Sequence, residues 1–130
     1  MHNINITHRG WQRIFLVYLG ILLGIIVSAY ARFIPAQLTF FPLYDKIGHF
    51  VLLGSAAYLA HRASNRKYMR IGGLALPLGP LLVALVALGE ECLQSFSPYR
   101  TFSMLDYACD LGGITLFYVV DWLQERKGRT

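Results

Sequence analysis

The chain alternates between long apolar runs and short polar segments. Residues 14–31 and residues 71–89 contain no charged side chain at all. As a helix, an uncharged stretch of about 18 residues or more is long enough to cross the hydrocarbon core of a bilayer, which is about 30 Å thick. Both runs therefore predict transmembrane helices.

Two shorter apolar segments, residues 47–60 and 107–120, carry His49 and Asp110 near their starts. Each segment has to connect to a full-length span, and so both are predicted to cross the membrane as well. The sequence predicts one all-α domain, residues 1–130, that forms a polytopic membrane protein with four transmembrane helices. The helices are placed at residues 14–31, 46–62, 71–93 and 105–122.

Composition supports this fold class, because 55% of the residues are hydrophobic and only 15% are charged, against about 25% charged in typical soluble domains. Arg9 and Arg13 precede an apolar run that ends Ala29-Tyr30-Ala31, a pattern that a cleaved signal peptide shares. The run is slightly long for a signal peptide, and so we expect the first helix to be retained.

The basic residues orient the chain, because Lys and Arg concentrate in short cytoplasmic loops. Nine of the twelve fall in the N-terminal segment, the second loop and the C-terminal tail: Arg9, Arg13, Arg62, Arg66, Lys67, Arg70, Arg126, Lys127 and Arg129. Both termini are therefore predicted to be cytoplasmic. The net charge of +5 comes from residues that flank helices, and so no nucleic-acid partner is expected.

Polar residues from three segments then meet at the outer ends of the predicted helices. The candidate site comprises Asp45, Lys46, His49, Glu91, Gln94, Arg100, Ser103, Asp106 and Asp110. Asp106, Asp110 and Gly113 follow one helical stripe, in which the glycine permits a close approach by a neighbouring helix. A charged side chain that faces lipid costs at least a few kcal/mol, and so the stripes should face each other or a watery cleft.

A plainer interpretation treats these residues separately, with Asp45 or Asp106 as helix N-caps. It weakens for the set as a whole, because the predicted inner ends show no comparable grouping of acid, histidine and amide. His61 in particular is expected to be isolated near the inner interface.

The chain resembles the VanZ-like family of small bacterial membrane proteins. The resemblance rests on Asp45-Lys46-x-x-His49, Glu91-x-x-Gln94, Pro98, Arg100, Ser103, Asp106 and Gly113, in that order. Asp110 stands where the family usually has asparagine, and Glu90 is an additional acid. The family is named for a protein associated with teicoplanin resistance. The resemblance therefore implies an envelope role at the outer face of a bacterial plasma membrane.

Three functions are consistent with these residues. In the first, the cluster binds a membrane lipid headgroup or a lipid-linked envelope precursor, with Arg100 and Lys46 on its phosphate or carboxylate. In the second, an intramembrane enzyme acts on a lipid-linked substrate and uses His49 with Asp45 or Glu91 as a general base. In the third, the network locks helix ends together in a small subunit of a membrane-protein assembly.

The candidate site contains residue types that can hold a metal ion, namely His49, Glu91, Asp106 and Asp110. No metal or other cofactor is predicted, because the chain lacks an HExxH or paired-histidine spacing and the nearby cations would oppose a metal. Cys92 and Cys109 are expected to act as small apolar residues rather than as a disulfide. Pro77 and Pro80 predict either a kink in the third helix or easier packing around it.

Overall fold

The computed structural model of the chain describes residues 5–31, 42–96 and 103–129, without the side chains of residues 30 and 42–45. Within these ranges the chain forms four helices and one β-hairpin. The elements are α1 (His8–Tyr30), α2 (Pro42–Ala63), β1 (Tyr68–Ile71), β2 (Leu74–Pro77), α3 (Leu78–Gln94) and α4 (Met104–Gly128). The helical class is confirmed, but the hairpin was not predicted.

The prediction of four transmembrane helices is wrong. Among the described residues only one helical stretch, His8–Ala29 in α1, is long and apolar enough to cross a membrane. The apolar run 71–89 is divided between the hairpin and α3, which has 17 residues, fewer than the about 20 that a span needs. In α4 only ten residues separate Asp110 from Asp121, and so no long uncharged stretch remains.

The hairpin explains the glycines and prolines that the sequence placed in a kinked helix. Gly72 and Gly73 join the two strands with φ of +56° and +85°, as a two-residue type I′ turn requires. Pro77 then precedes the first residue of α3, and Pro80 lies in its first turn. Proline is tolerated there because the first backbone N–H groups of a helix have no intrahelical acceptor.

Helix α2 lies at the centre and packs against each of the other three helices. It runs antiparallel to α1, whose Tyr18 hydroxyl donates to the carbonyl of Leu52 at 2.7 Å. It runs parallel to α4, so that successive turns of the two helices meet in the same order. The start of α2, the end of α3 and the start of α4 consequently lie together, and we call this the acidic end. The opposite end, which includes the hairpin, we call the basic end.

Two glycines bring α2 and α4 into backbone contact. A Cβ added to Gly113 would overlap the carbonyl oxygen of Phe50. A Cβ added to Gly54 would lie 2.5 Å from the ring of Phe117 and 2.9 Å from the carbonyl oxygen of Gly113. The close approach predicted for Gly113 is therefore confirmed, and it fixes the separation of the two helices.

Helix α1 leaves most of its apolar surface uncovered. Only 6% of its apolar stretch is buried inside the chain, and Leu16, Val17 and Val27 are each more than 60% exposed. A core helix of a globular domain would be largely buried. The exposed side of α1 is therefore suited to contact with a membrane.

We predict that Gly113→Ala destabilises the fold by about 1–3 kcal/mol, the usual cost of overpacking a close contact. The new methyl group would meet the backbone of Phe50, which cannot rotate away. Chemical denaturation of the purified chain would measure the free energy of unfolding.

Gly112→Ala is the matched control. Its methyl group would lie 3.5 Å from the Phe50 ring, an ordinary contact, and alanine is favoured over glycine within a helix by about 0.5–1 kcal/mol. Equal stability of the two variants would contradict the proposed close packing.

Candidate functional site

The acidic end brings together most of the residues predicted for the site. Lys46 and His49 come from α2, Glu91 and Gln94 from the end of α3, and Ser103, Asp106 and Asp110 from the start of α4. Asp45 lies in the first turns of α2, but its side chain is outside the described residues, as is the whole of Arg100. Seven of the nine predicted side chains can therefore be placed.

Three of them meet at the centre of the cluster. The Nδ1 atom of His49 lies 2.9 Å from Oδ1 of Asp110 and 4.0 Å from Oε1 of Glu91. Both carboxylates are buried, with exposed fractions of 1% for Asp110 and 0% for Glu91. Each helix except α1 contributes one of these side chains, and for that reason no local sequence motif marks them as a group.

Glu91 is only partly satisfied. Its Oε2 accepts a long hydrogen bond of 3.5 Å from the backbone N–H of Ser103, whereas its Oε1 is buried without a hydrogen bond. Burial raises the pKa of the Glu91 carboxyl above its ordinary 4.5, an effect that the Ser103 N–H and His49 oppose only in part. This side chain is therefore ready to accept a proton or a positively charged group.

A second ion pair, between Lys46 and Asp106, lies at the start of α4. The Nζ of Lys46 donates to Oδ1 of Asp106 at 3.3 Å, and the backbone N–H of Asp106 donates to the hydroxyl of Ser103 at 3.3 Å. Ser103 is thus the N-cap of α4, and Asp106 lies in the first helical turn, where a negative charge is favoured by the helix dipole. The plainer interpretation allowed Asp106 to be the cap, but the cap is Ser103, three residues earlier.

Gln94 has a partner that the sequence did not single out for it. Its Nε2 donates to both carboxylate oxygens of Glu90 at 2.7 Å. Both residues sit on the last turn of α3, four positions apart, and so they share one helical face. Gln94 is 2% exposed and presents this carboxylate to a neighbouring cavity.

An apolar cavity of about 220 Å³ opens directly beside the cluster. His49, Glu90, Gln94 and Asp110 form its polar wall, and the remaining lining is almost wholly aliphatic. A second apolar cavity of about 530 Å³ lies further along α2. Leu22, Leu53 and Val86 line both cavities. Together the two cavities form one groove, which we call the apolar groove, between α1 and α3 with α2 as its floor.

The basic end holds a second polar cluster, contrary to the prediction that no such grouping exists there. Asp121 is fully buried and accepts from Nε of Arg62 at 2.7 Å and from Nε and Nη2 of Arg66 at 3.0 and 2.9 Å. Arg66 has a φ of +54°, a strained conformation for a residue with a side chain. Its two hydrogen bonds to one carboxylate help to hold it there. The guanidinium of Arg62 also lies 4.6 Å from the centre of the Trp11 ring.

His61 belongs to this second cluster and is not isolated. It is fully buried, with ring centres 5.8 Å from Tyr68 and 5.2 Å from Tyr118, both edge to face. Burial lowers the pKa of its imidazole, and the carboxylate of Asp121 opposes this only in part. The sequence did contain a signal for this cluster, in the four-residue spacing of Asp121 and Glu125 and the basic residues at 62 and 66. The sequence analysis used the two arginines only to orient the chain and did not consider the two acids.

We predict that Asp121→Asn lowers the free energy of unfolding by about 2–4 kcal/mol. Breaking a buried ion pair costs about 3–5 kcal/mol, and the partial exposure of both arginines reduces this. Chemical denaturation would measure the change. Glu125→Gln, which removes a carboxylate of the same cluster that is 24% exposed, should cost less than about 1 kcal/mol. A larger loss from Glu125→Gln than from Asp121→Asn would contradict the assignment.

The contribution of Asp121 should also depend on pH. Burial alone would raise its pKa, but the hydrogen bonds from Arg66 and Arg62 outweigh burial and hold the pKa below its ordinary 3.8. The stabilisation is therefore complete above pH 3.8 and is lost as the pH falls through the lower value of the folded state. Asp121→Asn should lack this part of the acid transition.

Comparisons with known proteins give one relative. An uncharacterized protein of Schizosaccharomyces pombe is 32% identical over 108 residues, which cover 79% of this chain and 60% of the yeast protein. The chain thus spans about 60% of the length of that relative. No protein-family model matches the chain, and no solved structure matches it significantly. The predicted bacterial source gains no support, because this relative is fungal.

Proposed function

We propose that the chain binds a lipid-like amphiphile, with the headgroup at the acidic end and the hydrocarbon tail in the apolar groove. The observation that carries the proposal is that the apolar groove opens directly onto the polar residues of the acidic end. The groove runs past α1 from Gln12 to Ala29, a length of about 25 Å at 1.5 Å per residue. One leaflet of a bilayer core is about 15 Å deep, and so a long alkyl chain fits.

The charges of the acidic end indicate what kind of headgroup it accepts. The described residues there include four carboxylates, of Glu90, Glu91, Asp106 and Asp110, against Lys46 and His49. Lys46 is already paired with Asp106. We therefore propose a headgroup that donates hydrogen bonds, such as a sugar hydroxyl or an ammonium group, in place of a phosphate held by Lys46.

The exposed side of α1 supports a location at a membrane. This helix is the one described segment that meets the length and apolarity of a span, and it forms one wall of the apolar groove. A bound amphiphile could then enter the groove from the bilayer without crossing water. On the VanZ-like resemblance, we propose an envelope lipid or a lipid-linked precursor as the amphiphile.

Dodecyl glucoside, an alkyl chain with a hydroxyl-rich headgroup, tests this function by equilibrium dialysis below its critical micelle concentration. Val86→Trp should weaken its binding at least about tenfold, equivalent to 1.4 kcal/mol, because the indole fills the groove at a position that lines both cavities. Leu85→Trp is the matched control, since Leu85 is also exposed on α3 but lines neither cavity.

Comparison with dodecyl sulfate in the same assay tests the choice of headgroup. It has the same tail, and its anionic headgroup should be repelled by the carboxylates, so that it binds more weakly than the glucoside. Equal effects of the two tryptophan variants would exclude the groove as the tail site. Equal binding of the two detergents would exclude selection of a donor headgroup.

A further inference from the structure

We propose that His49, Glu91 and Asp110 form a binding site for a divalent cation such as Zn²⁺ or Mn²⁺. One potential ligand atom from each residue lies within 4.8 Å of the other two. The three residues come from α2, α3 and α4 respectively. The site thus depends on the folded bundle, and it does not depend on the amphiphile proposed above.

The three ligand atoms lie within 4.8 Å of one another, and so side-chain movements would have to draw them together around a cation. Zinc binds histidine nitrogen and carboxylate oxygen at about 2.0–2.2 Å, so that two ligands of a tetrahedral site are separated by about 3.4 Å. The His49 Nδ1 to Asp110 Oδ1 distance of 2.9 Å and the His49 Nδ1 to Glu91 Oε1 distance of 4.0 Å lie on either side of this value. A side-chain rotation that moves Oε1 of Glu91 by about 0.6 Å would close the longer distance. The same rotation would have to bring this oxygen closer to the Asp110 carboxylate, since the three ligand atoms lie within 4.8 Å of one another.

The second observation is the unsatisfied oxygen of Glu91. Its Oε1 is buried, makes no hydrogen bond among the described residues, and faces the imidazole of His49. Buried polar atoms are nearly always hydrogen-bonded, because an unpaired one forfeits its hydration without compensation. A cation between the three side chains would supply the missing partner and would replace the proton that His49 and Asp110 share.

The ligand set also indicates which cations fit. One imidazole nitrogen with two carboxylate oxygens suits zinc, manganese and iron, whereas magnesium and calcium prefer oxygen alone. The nearest described cationic side chain, Lys46, is neutralised by Asp106 at 3.3 Å, and so it opposes the metal less than its position along α2 suggests. A net negative site remains for the cation.

Three protein ligands leave at least one coordination position open, as in catalytic rather than structural zinc sites. His49 and Asp110 both line the apolar cavity beside the cluster. The open position would therefore face the cavity and accept a water molecule or an oxygen of a bound headgroup.

Metal content of the chelator-treated full chain, after separate equilibrium dialysis against Zn²⁺ and Mn²⁺, tests the proposal by elemental mass spectrometry. We expect one ion per chain in the wild type. Glu91→Gln and Asp110→Asn should each weaken binding at least about 100-fold, since even partners of metal ligands contribute about 10–100-fold. Glu90→Gln is the matched control, because Glu90 lines the same cavity but does not belong to the three ligands.

Binding of Mn²⁺ distinguishes this site from adventitious metal binding by the thiolates of Cys92 and Cys109, because cysteine prefers softer ions than Mn²⁺. Thermal unfolding of the metal-free variants checks that both amide substitutions fold as the wild type does. Absence of stoichiometric Zn²⁺ and Mn²⁺ in the wild type, or full retention in Glu91→Gln, would overturn the cation site. The dodecyl glucoside assay is run on the chelator-treated chain, so that neither metal result bears on it and the two proposals can fail separately.

Discussion

The backbone contact between α2 and α4 is the constraint on which both polar clusters depend. Gly54 and Gly113 allow the two helices to touch, and their parallel course keeps them in register over their whole length. One turn from Gly113 this register brings His49 within 2.9 Å of Asp110. Two turns in the other direction it brings Arg62 within 2.7 Å of Asp121. A larger residue at either glycine would displace both ends at once.

The two clusters then differ in how completely their charges are satisfied. At the basic end Asp121 accepts three hydrogen bonds from two arginines, which is close to the full capacity of a carboxylate. At the acidic end Glu91 is as deeply buried but receives one long hydrogen bond. A carboxylate that is saturated in this way stabilises one packing of the helices. A buried carboxylate oxygen without a donor is costly, and this contrast favours a structural role for Asp121 and a ligand for Glu91. The contrast is limited to the carboxylates, because both ring nitrogens of His61 at the basic end are also buried without a hydrogen bond.

The acidic end could be predicted from the sequence because helical spacing carried the information. Asp106, Asp110 and Gly113 repeat every three or four residues, and that stripe does face α2. The hairpin could not be predicted from apolarity, since residues 71–77 are as uncharged as the helix that follows them, and only the paired glycines at 72 and 73 indicated a turn. The ion pairs of Asp121 were missed because Arg62 and Arg66 lie 59 and 55 residues away. His61 was missed because the assumption of four spans placed it at a membrane interface.

The apolar surface of α1 and α3 has a different role in a chain with one candidate span among its described residues than in a chain with four. In a four-span protein the aliphatic residues of α1 and α3 would face lipid and need no further partner. With α1 as the one described segment that meets the requirements of a span, the apolar groove between α1 and α3 leads from that helix to buried carboxylates. Aliphatic walls exclude water and lower the local dielectric, which strengthens any contact of the carboxylates with a cation or a donor. The same groove that can hold a hydrocarbon tail therefore makes the acidic end a stronger binding site for the group at its head.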